Sequence, residues 1–487
     1  MTRFSRRGFM AASAAMAASL AVPARLRAAT APLSLTATTR VIEVGGRAAT
    51  VMGLMNAQGG LGLTLDTDQR FRVDLTNALP VETIIHWHGQ IPPNAQDGVP
   101  NTNPMLKPGE TRGYNYAPRP GTFWMHSHLP EQEIGLLAAP LILRSAEDLR
   151  ADRQEVVMFL HDFAFRSPEE VLAEVTGGMA MDHGSMNHGA PAGMDHSAMG
   201  HGSMGTMGEM SGMADMAMDL NDFNFDAYLA NDRTLDDPEV IAVEPGGRIR
   251  LRVINGASMT AFWVDTGTPA RLVAVDGEPV QPLSGDRFSI APAQRLDIEI
   301  NLPADGAALP ILALREGARE RTGIVLAPKG AAIPRMATLS DEAHPPVSGD
   351  MRQELALRAV TSLPERPVQN RQMVMLGGAM QPYVWTINDQ TWDNRTPVAA
   401  KNGERVELMF HNMSMMAHPM HLHGHVFQVV EVNGTRFAGA LRDTVHVPAM
   451  GSVTIAFDAG EVAPWMLHCH HMGHLATGMM TELAVSA

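Results

Sequence analysis

The sequence predicts an all-β protein made of three sandwich domains in a row. Short alternating or apolar runs recur between Gly, Pro and Asn punctuation, which is the pattern of strands in sandwiches and barrels. Helical signals are few and short. One strand unit occurs three times. At 487 residues, the chain has the length of about three ordinary domains.

The predicted strands are Arg70–Leu75, Thr83–His88, Leu141–Leu143, Arg248–Ile254, Arg271–Val275, Arg295–Ile300, Arg405–Phe410, Phe427–Val432 and Ser452–Phe457. Ala146–Arg153 and Pro168–Thr176 are the candidate helices. The repeated unit is an alternating strand that ends at Asn: Phe71–Asn77, Ile249–Asn255 and Val406–Asn412, each after a polar turn. Its spacing of roughly 150–180 residues marks an internal repeat. Domain 1 is expected at 32–145, domain 2 at 154–330 and domain 3 at 350–487, with Ile333–Ser348 as the second linker.

The N-terminus reads as a processing segment. Arg6-Arg7 precedes an uncharged, alanine-rich stretch to Ala24, the form of a twin-arginine export signal. Residues 1–31 are therefore expected to be a signal peptide, and the mature protein periplasmic. Removing them takes the formal charge from −15 to −20. An acidic chain lacks the basic footprint of a nucleic-acid binder and attracts cations. No later apolar run reaches the ~18–20 residues of a membrane span. Cys469 is the only cysteine, so stability must come from packed cores.

Residues 177–218 stand apart, with eleven Met and four His among Gly, Ser and Ala. Met181-Asp182-His183 to Met186 and Met194-Asp195-His196 to Met199 are imperfect repeats. Almost no branched aliphatics occur, so the segment cannot build a core and reads as a flexible insertion in domain 2. Thioethers are soft ligands that select Cu(I), whereas ordinary linkers use Gly, Ser and Pro without Met. Met181, His183, Met186, Met194, His196 and Met199 are therefore candidate Cu(I) ligands.

Four histidine clusters carry the chemistry: His86-Trp87-His88, His126-Ser127-His128, His418 to His425, and His468-Cys469-His470 followed by His474 and Met479. Alternation along a strand puts both imidazoles of a His-x-His pair on one face, giving a metal two nitrogens from one rigid element. The same alternation sends Cys469 to one side and its two flanking His to the other. Two His, one Cys and a weak axial Met are the ligands of a blue-copper centre.

In order, internal spacing and placement, these clusters resemble the four signature segments of the multicopper oxidases. The resemblance covers the whole mature chain and is carried most closely by the bacterial copper-efflux and copper-resistance oxidases. It implies three cupredoxin-like Greek-key sandwiches, four copper ions and O₂ as electron acceptor. It also implies His418, Cys469, His474 and axial Met479 at the type 1 copper, and His86 and His421 at type 2. His88, His126, His128, His423, His468 and His470 would then hold the type 3 pair. Electrons would pass from type 1 through Cys469 and its neighbours to the trinuclear cluster. Asp97 sits where related oxidases carry a proton-delivering carboxylate; Asp97-Gly98 is equally a turn dipeptide. Some relatives carry a second acid directly after the last type 1 His, where this chain has Leu475.

The reductant is less legible. Axial Met479 suggests a moderate type 1 potential, suited to Cu(I) or activated phenols. Met413, Met415 and Met416 precede His418 and could guide Cu(I) to it or simply fill gaps. Related cuprous oxidases place an Asp in a substrate copper site where this chain has Ser414. The expected function is a periplasmic cuprous oxidase for copper tolerance, exported by the twin-arginine machinery. A laccase-like oxidase of small organic reductants is the second reading. A non-catalytic copper-sequestering protein is the third, disfavoured because storage needs no Cys between type 3 His. A monomer is expected, since three domains in one chain already supply an inter-domain cluster.

Overall fold

A computed structural model describes residues 31–177, 220–347 and 349–487. The signal segment and the candidate ligands Met181, His183, Met186, Met194, His196 and Met199 lie outside the described residues.

The first β-unit packs two four-stranded sheets. One runs Arg47–Asn56, Leu33–Val44, Phe71–Asn77, Thr111–Tyr116; the other runs Leu63–Leu65, Ala138–Leu143, Gly121–Ser127, Ile85–His86. Phe71, Val73, Leu75, Trp87, Phe123 and Leu141 fill the space between them. The second unit winds nine strands, from Gln154–Phe163 to Arg321–Pro328, into one sheet. The third packs a seven-stranded sheet on a five-stranded one. The five-stranded sheet holds His418–Leu422 beside Pro464–Cys469. The protein is thus mostly β, in three cupredoxin-like units.

The threefold repeat is visible in atomic detail. Each Asn-ending strand pairs in parallel with the strand that opens its unit: Leu33–Val44, Gln154–Phe163 and Asn370–Met380. The terminal Asn is buried and makes the same bonds each time. Its Nδ2 donates to two carbonyls: Val81 and Leu106 for Asn77, Thr260 and Ile290 for Asn255, Met416 and Pro448 for Asn412. Its Oδ1 accepts from the N–H two residues on, in Leu79, Ala257 and Ser414. A buried Asn satisfied in this way holds the loop after the strand.

Pro168–Thr176 is a helix as predicted, opened by a Ser167–Glu170 capping box and closed by left-handed Gly177. Ala146–Arg153 is not a helix but a set of turns. There the Ser145 N–H donates to Asp148 Oδ2, the Asp148 N–H donates to Ser145 Oγ, and Arg153 folds back onto Glu147 and Asp148. These side chain–backbone and ion contacts compete successfully with a single helical turn. The Thr83–His88 run is strand only at Ile85–His86. Three short helices, Pro130–Ile134, Pro168–Thr176 and Met472–Ala476, one from each unit, pack on one another.

A buried ion network joins the units. The Arg295 guanidinium pairs with Asp443 of the third unit and donates through Nε to the Thr122 carbonyl of the first. Arg442 pairs with Asp276 at 3.0 Å and with Glu354 at 2.8 Å. Gly89 (φ 81°) makes room for the network, since a Cβ there would lie 2.5 Å from both Arg295 Nη2 and Asp443 Oδ2. Removing one partner of a buried pair strands the other's charge. Arg295→Met is therefore expected to destabilise the protein by about 3–5 kcal/mol in denaturant unfolding; an unchanged midpoint would contradict the role of the network.

Candidate metal centre

Each His-x-His pair sits where a strand stops. His86 ends Ile85–His86, and His126 lies next to the end of Gly121–Ser127. His421 and His468 lie within one residue of the ends of His418–Leu422 and Pro464–Cys469. The first imidazoles face each other across the ladders, His86 opposite His126 and His421 opposite His468. The second His of each pair lies just beyond the strand. The two strand patches, from the first and third units, meet face to face and bury all eight imidazoles.

The eight rings form one continuous cluster, with His88 stacked on His421 at 3.8 Å and His86 against His423 at 3.9 Å, and within it two threesomes and a pair can be traced. His88, His126 and His470 have centroids 4.9–5.5 Å apart. His128, His423 and His468 have centroids 5.0–5.2 Å apart. His86 and His421 face each other with Nε2 atoms 3.4 Å apart.

The outer hydrogen bonds decide which nitrogens are bare. His86 Nδ1 is 2.9 Å from the Asp97 carbonyl, and His421 Nδ1 is 2.8 Å from the Asp443 carbonyl. A carbonyl only accepts, so both Nδ1 atoms carry the proton and both Nε2 atoms present lone pairs. The same holds for His423, which donates Nδ1–H to Asp97 Oδ2 at 2.9 Å, and His468, which donates to the Cys469 carbonyl at 3.0 Å. Their Nε2 lone pairs meet at 3.0 Å. His126 donates to the Ser127 carbonyl and His88 Nε2 faces Asp443 Oδ1 and Thr444 Oγ. This leaves His88 Nδ1 against His126 Nε2 at 3.3 Å. Three times, lone pair faces lone pair in a buried site, which is repulsive unless a cation lies between. Burial also holds the imidazoles of His88, His126, His128, His421, His423 and His470 well below their ordinary pKa, and His468 at about 3. They stay neutral and free to donate to a metal.

A fourth such contact lies on the other side of Cys469. His418 Nδ1 and His474 Nδ1 are 3.1 Å apart, with Cys469 Sγ 3.8 and 3.6 Å from them. Their outer nitrogens are engaged: His418 Nε2 by Ser414 Oγ at 2.9 Å, His474 Nε2 by Asp222 Oδ2 at 3.4 Å. Burial pushes the Cys469 thiol up, so its thiolate also needs a cation. Met479 is fully buried, its carbonyl accepting the Cys469 N–H at 3.0 Å. Trp385 lies over His474 with centroids 4.0 Å apart. Two His, one Cys and this Met fit copper, and the imidazole nitrogens of the other eight fit it as well.

Of the predicted acids, Asp97 is fully buried between His423 and His86, with its Oδ1 free of hydrogen bonds. The turn reading and the site reading coincide. Gly98 has φ 83°, and a Cβ there would sit 1.8 Å from the Ile85 carbonyl, so the Asp-Gly turn is what lays Asp97 against His86. Leu475 is a buried apolar residue. Three further acids carry no signal in the sequence. Glu133, on Pro130–Ile134, reaches His126 Nδ1 at 2.8 Å and His470 Nδ1 at 3.5 Å. Burial, followed by the nearby charge of Asp162, pushes its carboxyl well above the usual range. Asp443 orients His88, and Asp222 backs His474. Burial alone would raise the Asp222 carboxyl, but His471, His474 and Tyr383 hold it at about 2. His471 does not turn toward the eight-imidazole site; it stacks on His474 at 3.9 Å. Met416 is buried in the core, whereas Met413 and Met415 are exposed. Of the three Met before His418, each a candidate guide for Cu(I), Met416 is thus the one that packs.

Models of multicopper oxidase domains match residues 36–148, 201–324 and 365–487. The chain belongs to the multicopper oxidases. It is an oxidoreductase that uses O₂, with four coppers: one type 1, one type 2 and two type 3. It is 29% identical to multicopper oxidase MmcO of Mycobacterium tuberculosis, over 99% of this chain and 96% of that protein. It is 25% identical to copper resistance protein A of Escherichia coli, over 84% and 85%. The crystal structure of a multicopper oxidase from Pseudomonas thermotolerans shares the fold at a TM-score of 0.66 and 22% identity, covering 93% of this chain and 98% of that one.

Glu133 touches two imidazoles with one carboxyl group, so its loss removes a support from both rings. Glu133→Ala is expected to purify with less copper than the unaltered protein, measured by elemental analysis; full copper content would contradict the clamp.

Proposed function

We propose that this oxidase takes its electrons from Cu(I) and serves copper tolerance in the periplasm, after export by the twin-arginine route. In this reading the domains span 32–145, 154–330 and 350–487. His418, Cys469 and His474, with Met479, would hold the type 1 copper, and His86 and His421 would hold type 2. His88, His126 and His470 would hold one type 3 copper; His128, His423 and His468 would hold the other. When bound, the coppers supply one-electron oxidation of the reductant and four-electron reduction of O₂ to two waters.

The protein's own residues set the conditions for that chemistry. Cys469 connects the two sides covalently, through His468 and His470. The carbonyls of Asp97, Ser127, Asp443 and Cys469 hold four imidazoles in a single tautomer. Burial of all eight rings keeps bulk water off the oxygen site. Asp97 Oδ2 orients His423, and its unbonded Oδ1 is the atom that would pass a proton inward.

The observation that carries the choice of Cu(I) concerns where the Met/His-rich stretch leaves and rejoins the fold. It leaves at Gly177, after the helix that packs on Met472–Ala476 beside His474. A Cβ on Gly473 would lie 2.8 Å from Val175 Cγ1 and 2.5 Å from Tyr383 Oη, so these walls are in close contact. The chain is described again from Leu220, and Asp222 at once contacts His474 and accepts a hydrogen bond from Tyr383. The described residues on either side of a Cu(I)-type ligand stretch are therefore both anchored at the electron-entry imidazole. The naming of a relative for copper resistance supports the same reading. As an O₂-using oxidase the chain is not a mere copper store, so a phenol oxidase is the remaining competitor.

Deleting residues 179–218 separates these two. Oxygen uptake with Cu(I) is expected to fall several-fold while uptake with a small phenol persists. Equal loss for both substrates, or no loss for Cu(I), would contradict the proposal.

A further inference from the structure

The third unit carries soft donors on a solvent face where its sister units do not. In the parallel pair Asn370–Met380 and Arg405–Asn412, Val374, Leu376, Leu408 and Phe410 point into the core. The alternate residues Met373, Met375, Met409 and His411 therefore share the outer face. The register sets Met373 beside Met409 and Met375 beside His411. Adjacent strands lie about 4.8 Å apart, and same-face neighbours about 6.6 Å apart along a strand. Three thioethers and an imidazole thus occupy a block that flexible Met side chains can close around one ion.

The internal repeat supplies the comparison. At the positions of Met409 and His411 the first unit has Asp74 and Thr76, and the second has Arg252 and Ile254. On the partner strands, Met373 and Met375 correspond to Ser34 and Thr36 in the first unit and to Val157 and Phe159 in the second. The ordinary exposed version of this face, in the first unit, is Ser, Thr and Asp. Met373 is 58% exposed, although Met is an apolar residue that usually fills interiors.

The block also leads somewhere. Beyond His411 the chain runs into Met413, 58% exposed, whose N–H donates to the Leu376 carbonyl at 2.9 Å and so prolongs the same pairing. Met415 and Met450 are exposed beside it, with Met450 N–H on the Ser414 carbonyl. The hydroxyl of Ser414 touches His418.

We infer that Met373, Met375, Met409 and His411 form a surface binding site for Cu(I), from which Met413 and Met415 lead to the type 1 side. Soft thioethers with one imidazole select Cu(I) over Mg²⁺ or Ca²⁺, and the acidic chain draws cations to its surface. Arg371 and Arg436 at the far end are paired to Glu407, so they present no unpaired positive charge. None of its residues belongs to 177–218 or to the ligand set of the resident coppers. It rests on the reading that Cu(I) is the reductant.

The test is a count of extra monovalent ions bound by the copper-loaded, fully reduced, full-length protein without O₂. Ag(I), a redox-inert soft ion, is the probe, buffered by a competing chelator. The variant Met373→Thr/Met409→Thr/His411→Thr uses strand-forming residues of the kind found in the first unit; its blue absorbance when oxidised reports an intact fold and type 1 site. The variant is expected to bind one Ag(I) fewer than the unaltered protein and to show a several-fold higher KM for Cu(I). Equal Ag(I) counts would overturn the site, whatever the turnover. A count lower by one in a protein that does not oxidise Cu(I) at all would uphold the site and overturn the cuprous-oxidase reading instead.

Discussion

Four times in this fold, a bare imidazole nitrogen is pressed against another at 3.0–3.4 Å in a buried place. Lone pairs do not attract. Only a cation between the nitrogens makes the contacts favourable, so folding and copper binding are coupled. The rest of the molecule can be understood as what holds those nitrogens in place. Backbone carbonyls next to the ligands set the tautomers, and Asp97, Glu133, Asp443 and Asp222 back the rings that no carbonyl reaches or that need a second support.

Each of these backing groups must itself be held. Asp443 is buried, and its charge is tolerable only because Arg295 lies against it. Arg295 belongs to the second unit, which supplies none of the proposed copper ligands. That unit acts as a clamp: its arginine fixes the carboxylate that fixes His88, and its Asp222 backs His474. The repeated Asn at the end of each opening strand performs a similar service for loops. In the third unit, Asn412 also holds Ser414, whose hydroxyl meets His418.

The donor clusters were legible in the sequence because each is local: two His two residues apart, or a Cys between them. Three sandwich units were legible through the repeat of strand and Asn. The backing acids were not. Asp443 and Asp222 are ordinary-looking residues whose imidazole partners His88 and His474 are distant in sequence, and Glu133 reaches His126 seven residues back but also His470 far along the chain, so only the packing of the three units completes these contacts. The expectation that each His-x-His pair lies on one strand face was too simple. Each strand ends near its first His, so the second ring is aimed by a turn, and His88 presents Nδ1 where His86 presents Nε2. The Ala146–Arg153 helix failed because ion pairs within eight residues outweighed helical propensity. The Met/His-rich stretch reads from sequence as part of the second domain, which hides that the described residues flanking it, the helix Pro168–Thr176 and Asp222, pack against Met472–Ala476 and His474 of the third unit.

The most direct measurement is an experimental structure of the copper-loaded protein with anomalous data at the copper edge. Four peaks are expected: one among His418, Cys469 and His474, one between His86 and His421, one among His88, His126 and His470, and one among His128, His423 and His468. A copper resting on His161, His425 or His446, or no copper between any of the four opposed nitrogen pairs, would contradict the central claim that bare, opposed imidazoles are this fold's metal sites.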